Sequence, residues 1–204
     1  MSARIKKYDV DLADASLTGF ASNVTGATWT LTATAATDGL AHQVSIKNDS
    51  ATDHSAKTAI LTGTDPEGRV QTETVNLPGS SATIESVGYF LTLTSVVPSA
   101  TIGSDTMDIG WVDEVATSTY PLNYRTEVAP TVSVDVTGTI DFTVQETFDD
   151  VLGGDTAVWA AITALSGKTA DTTAQSSLHA TAVRLIINSY SSGAELQMNI
   201  IQSW

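Results

Sequence analysis

Along much of this chain, apolar residues recur at every second position, the period of a strand with one buried face. In Thr131–Thr137, Val132, Val134 and Val136 share a face, and in Thr139–Phe148 so do Ile140, Phe142 and Val144. Gly138 between them marks either a tight turn or a bulge in one long strand. Thr28–Ala36 alternates around Leu31 and Ala33, and Leu40–Asn48 through Val44 and Ile46, with Thr37-Asp38-Gly39 as the turn. Thr106–Val112 reads as a further strand. Leu178–Asn188 and Ala194–Trp204 close the chain as two strands around Ser191-Ser192-Gly193.

The organising stretch is Ala59–Val97. Ala59–Gly63 and Arg69–Leu77 flank Thr64-Asp65-Pro66-Glu67-Gly68, in which proline presets one turn angle and glycine tolerates a positive φ. This predicts a β-hairpin. Pro78-Gly79-Ser80-Ser81 is another reversal, and Tyr89–Val97 is expected as a third strand. Helical spacing occurs once, in Asp155–Leu165, where Val158, Trp159, Ile162 and Leu165 align and Asp155 would cap the helix. Asn48–Ala56 and Lys168–Ser177 are polar and read as loops.

These elements predict an all-β fold of two β-sandwich or jelly-roll-like units with at most one short helix. The expected divisions are an N-terminal arm at 1–27, a first unit at 28–113, a linker or crossing at 114–130 and a second unit at 131–204. A single larger sandwich is the alternative. Pro121 and Pro130 interrupt the strand rhythm in the crossing, while Tyr120 and Tyr124 argue that it packs.

Composition narrows the function. About a quarter of the 204 residues are Ser or Thr, and the β-branched Thr suits pleated, half-buried surfaces. The absence of cysteine excludes disulfides and thiolate metal sites. A net charge of −14 with only 16% charged residues reflects few bases more than many acids. Such a surface repels phosphate backbones, so no nucleic-acid partner is expected. No apolar run reaches the roughly 20 residues of a membrane span, and the start MSARIKKY lacks the apolar core of a secretory signal.

Chemistry-bearing residues do not gather in the sequence. His42, His54 and His179 are far apart, with no metal-ligand spacing among them. No nucleophile elbow or phosphate loop occurs. The carboxylates Asp65 with Glu67, Glu73, Asp141 with Glu146, and Asp149 with Asp150 are the candidates for a glycosidase, but Asp65 and Glu67 sit in a turn and Asp149-Asp150 ends a strand before Gly153-Gly154. Trp29, Trp111, Trp159 and Trp204 are scattered. Asn48, Asp49 and Asp53 form an oxygen-rich loop without EF-hand spacing. No catalytic residue, cofactor or metal is assigned, and the chain is expected not to be an enzyme. Two features suit docking to a partner. One is the basic start, with Arg4, Lys6 and Lys7 before an acidic body. The other is Trp204, after Leu196, Met198, Ile200 and Ile201.

The run ILTGTDPEGRV at 60–70, continued by TETV at 72–75 and by Tyr89-Phe90 with its Thr/Val tail, resembles small virion proteins of tailed bacteriophages. Phe142–Val151 and Thr181–Tyr190 with Gly193 are similar to them as well, so that the resemblance spans about two thirds of the chain. It implies a non-enzymatic structural role in the virion. The expected form is a capsid decoration or cement protein bound to the major capsid protein or another virion protein, itself a homo-oligomer such as a trimer. A neck, collar or tail component is the nearer alternative. A carbohydrate-binding module or adhesin, or a polysaccharide hydrolase, is the more distant one.

Overall fold

The structure, a computed structural model, describes residues 3–125, 127–153 and 157–203. In chain order its strands are β1 (Ala3–Asp11), β2 (Ser16–Val24), β3 (Ala41–Asn48), β4 (Thr58–Thr64), β5 (Val70–Asn76), β6 (Thr83–Phe90), β7 (Thr92–Pro98) and β8 (Met107–Ala116). They continue with β9 (Tyr120–Pro121), β10 (Thr131–Thr137), β11 (Ile140–Thr147), β12 (Ala160–Ala161), β13 (Thr172–Gln175), β14 (Ala182–Tyr190) and β15 (Glu195–Ser203). Single 3-10 turns at Val151–Gly153 and Thr163–Leu165 are the helical elements among the described residues. The protein is all-β.

The chain divides into two compact units, Ala13–Val115 and a discontinuous one of Met1–Leu12 with Ala116–Trp204. These boundaries differ from the expected arm at 1–27 and linker at 114–130, and backbone hydrogen bonding is the reason. β1 pairs with β15 along its whole length, from Ala3↔Ser203 to Asp11↔Glu195, and β2 pairs with β8. The ladders satisfy N–H and C=O groups that a free arm would leave to water, while Val10 and Phe20 gain burial. The crossing is equally committed: β8 runs on to Ala116, β9 pairs with β14, and Leu122 is buried.

In the unit Ala13–Val115, one sheet is β5-β4-β7 and the other places β3 between β8 and β6, with β2 on β8. Between them lie Phe20, Val44, Ile46, Leu61, Phe90, Leu93, Val96, Met107 and Ile109. Each such side chain contributes roughly 1.5–3 kcal/mol by leaving water. The predicted hairpin forms, in register from Thr64↔Val70 to Thr58↔Asn76.

Two strand expectations here need correction. Tyr89–Val97 is not one strand. Its first residues end β6, which pairs with β3, and the rest is β7, which pairs with β4 in the other sheet. Thr28–Ala36 buries Trp29 and Ala36 but joins no ladder. The Thr32 and Ala33 amides both donate to the Phe20 carbonyl, and the Leu93 amide donates to Thr34. Its alternation marks which side chains point inward without supplying a partner strand.

In the discontinuous unit, one sheet is β1-β15-β10-β13, and the other comprises β12, β11 and β14, with β9 also on β14. Val132, Val134, Phe142, Val144, Leu185, Ile187, Leu196, Met198 and Ile200 are inaccessible or nearly so. β10 and β11, adjacent in sequence, lie in different sheets here, as do β14 and β15. β10 pairs with β15 and β11 with β14, so Gly138 is neither hairpin turn nor bulge. It is an arch between sheets, at φ +85°, set against the arch at Ser191–Ala194 that joins β14 to β15. A Cβ on Gly138 would lie 3.2 Å from Ala194.

The expected helix at Asp155–Leu165 is also corrected. Residues 154–156, including its proposed cap, lie outside the described residues. The remainder covers the edge of β11 through Gln145↔Ala161 and an Ile162 amide bond to Val144. A short isolated helix is marginal in water, and the open edge of β11 offers this segment backbone partners instead. The segment 168–177, expected as loop, contributes β13 to the edge of β10.

Candidate functional site

The polar residues singled out in the sequence are each tied into local structure. His42 is buried, with Nε2 2.9 Å from Asp38 and Nδ1 2.8 Å from the Val112 carbonyl. Burial alone would raise the Asp38 carboxyl. Hydrogen bonds from His42 and from the Ala13 and Leu40 amides outweigh it and hold the group below its ordinary value. His54 sits between Asp105 and Lys57, at 2.9 and 3.0 Å. His179, at φ +68°, meets the Tyr124 carbonyl.

The carboxylates behave alike. Asp65 accepts the Glu67 and Arg69 amides and Arg69 Nε, closing the hairpin loop. Glu146, buried, accepts from the Ser176 and Ser177 hydroxyls and the Ser177 amide. Asp141 binds Asn188, Asp149 accepts the Val158 amide, and Asp150 accepts the Gly153 amide. Asn48 reaches the Thr52 and Gly79 carbonyls, Asp49 pairs with Lys47, and Asp53 accepts the Ser55 amide. The three donors of that loop thus face different partners. Among the described residues no group of three His, Cys, Asp or Glu side chains is placed to hold a metal ion, and no helix is long and apolar enough to cross a membrane.

Glu73 has a role that sequence reading missed. Its carboxylate accepts the Val87 and Gly88 amides, 2.8 Å each, at a bulge in the edge strand β6. Ser86 fills the same gap, accepting from the Val44 amide and donating to the Gly88 carbonyl. The signal was Gly88 itself, since a glycine inside a strand marks a bulge or a close approach. Side chains, not a further strand, close that edge.

The basic start does not form a free arm. Lys6 is half-buried on β1, and Lys7 is exposed and paired with Asp9 at 3.2 Å. Only the backbone of Arg4 is described, and Trp204 lies outside the described residues. Of the other tryptophans, Trp29 and Trp111 are buried, and Trp159 lies beneath the Arg184 guanidinium, 4.4 Å from its ring centre.

What remains is surface. On the outer side of the β1-β15-β10-β13 sheet, Asp9, Asp11, Asp135 and Glu195 line a concavity of about 330 Å³. In the same unit, Pro121, Leu122, Tyr124, Phe148 and Val151 line one of about 270 Å³ with a more apolar wall. The outer side of the β5-β4-β7 sheet differs from both, for it carries Thr, Val and Ile and no charge.

No family model and no curated protein matches the chain. Among solved structures, the major capsid protein P2 of bacteriophage PM2 aligns over 98% of both chains at 11% identity and a TM-score of 0.18. A likeness of that degree carries no argument about architecture or task.

Proposed function

We propose that this chain is a non-enzymatic structural protein of a tailed-bacteriophage virion, assembled in the host cytoplasm. In this reading it is a decoration or cement protein that binds across capsomers of the mature head. The virion assignment comes from the strand-and-turn resemblance of the hairpin and C-terminal segments. The structural role is supported by one observation above all: the polar residues that might have built a site are engaged in turns, bulges and strand edges. Faces and edges are left to meet partners, which are the major capsid protein or another virion protein and further copies of the chain.

Such a protein needs no chemistry. It binds the assembled lattice and not the dissociated subunits, so its binding free energy adds to the stability of the shell. Repetition over many equivalent positions makes a modest interface sufficient. The test is the copy number of the chain in purified particles, by quantitative mass spectrometry. Hundreds of copies support decoration of the head, and about a dozen would move the chain to the neck or tail. Absence from particles would overturn the reading.

A further inference from the structure

We infer that the outer face of β4, β5 and β7 is the surface through which copies of this chain associate. The inference deepens the homo-oligomer part of the proposed function by naming its interface, and its test needs no virus particle.

The register defines the face. One row across the sheet is Thr74, Ile60 and Val97, the next is Thr72, Thr62 and Ser95, and a third is Val70, Thr64 and Thr92. Ile60 is 47% exposed, Val97 52% and Val70 82%. The three strands hold one charged residue, Glu73, and it turns away to the amides of β6. Arg69 in the adjoining loop is paired with Asp65 and Glu67.

Charge identifies the occupant. Each copy carries a net −14, so two copies repel wherever carboxylates face one another, over a range of about 8 Å at physiological salt. The repulsion is least across a charge-free face. A basic partner would instead be drawn to the acidic faces, and it would gain nothing electrostatic here. Hydroxyl chemistry points the same way. A hydroxyl both donates and accepts, so a threonine surface is complementary to itself under a two-fold axis, as carboxylates are not. Thr64 and Thr92 already bond each other, and Thr94 donates to the Thr62 carbonyl, so part of the face offers methyl groups to a dry contact.

Three strands of this length cover roughly 23 by 14 Å, well below the ~800 Å² per partner of a standard stable complex. The contact is therefore weak in dilute solution and becomes populated where copies are concentrated.

Sedimentation velocity of the full chain over a wide concentration series tests this. Wild type should shift from monomer to a larger species as concentration rises. Ile60→Glu with Thr72→Glu should weaken association at least about tenfold, because it strands unpaired charge in the contact. Thr72→Lys should weaken it as well, although it reduces the net negative charge of each copy. Thr173→Glu, on the outer side of β13, should leave association nearly unchanged. Circular dichroism would confirm that all variants are folded. A wild type monomeric at every concentration, or an Ile60→Glu/Thr72→Glu variant associating like wild type, would overturn the proposal. So would a Thr173→Glu variant that dissociates as far as the face variants. Loss of the virion assignment would leave these outcomes unaffected, and particle occupancy tests that assignment separately.

Discussion

The outer faces of the β5-β4-β7 and β1-β15-β10-β13 sheets are both antiparallel ladders over apolar cores, yet their surfaces differ. The first shows Thr, Val and Ile. The second runs from Ile5 and Ile201 at one end to Asp9, Asp11, Asp135 and Glu195 at the other. Inward positions are alike because both must fill a sandwich interior. Outward positions are free of that demand, so their difference is where separate partner preferences are written. The two regions also reach their sheets by different routes. β4 and β5 meet through a local hairpin, whereas β10 and β11, adjacent in sequence, cross to opposite sheets.

The largest expected effect tests whether the interiors are equivalent. Phe142→Ala in one unit and Leu61→Ala in the other, both fully buried, should cost about 3–5 and about 2–5 kcal/mol. Urea unfolding of each variant checks this. A cost under about 1 kcal/mol in either would show that its interior is not packed as described.

Next comes the contrast of routes. Gly138 and Gly68 both have positive φ, but a Cβ meets Ala194 at the arch and open space at the hairpin. Gly138→Ala should therefore cost more, about 2 kcal/mol against about 1 kcal/mol for Gly68→Ala. Equal costs would mean that the arch is no tighter than the turn. Glu73→Ala frees the Val87 and Gly88 amides to water and should cost about 1 kcal/mol, with faster amide exchange confined to β6.

The Asp38–His42 contact predicts a pH dependence. Because the folded carboxyl lies below its ordinary value, its stabilisation is complete above the ordinary carboxylate range. It is lost as pH falls through that range and below it. Between about pH 5 and pH 2.5, wild type should lose stability more steeply than Asp38→Asn. Parallel curves would remove the contact from the acid response. The smallest effects belong to the outer faces, where Asp135→Asn and Thr72→Ser should shift stability by no more than about 0.5 kcal/mol.

The expectation for the N-terminus changes with the structure. Deleting residues 1–8 would strip β15 of one of its two neighbours along most of its length, leaving β10 on the other side, so such a deletion tests folding more than docking. Lys7→Ala is the cleaner probe of the basic start, since only its pairing with Asp9 is removed.

Alternation of apolar and polar residues by itself determined which apolar side chains point inward: Val132, Val134, Ile140, Phe142, Val144, Val44 and Ile46 are all buried, whereas the burial of His42, Ser45, Thr143 and Glu146 was not legible in it. The Asp-Pro-Glu-Gly loop likewise determined the hairpin, because the turn and its two strands are contiguous. The tertiary structure alone decided which strand lies beside which. A period of two has the same form whether a strand turns back on its neighbour, as at Gly68, or arches into the facing sheet, as at Gly138 and Leu91. Sequence could not show that β1 completes a sheet with β15, because that ladder joins residues from opposite ends of the chain. Nor could it show that Glu73 reaches the β6 bulge or that Glu146 holds Ser176 and Ser177. Local preference acts over a few residues, whereas satisfying buried polar groups and open edges depends on whatever the folded chain brings within hydrogen-bond reach.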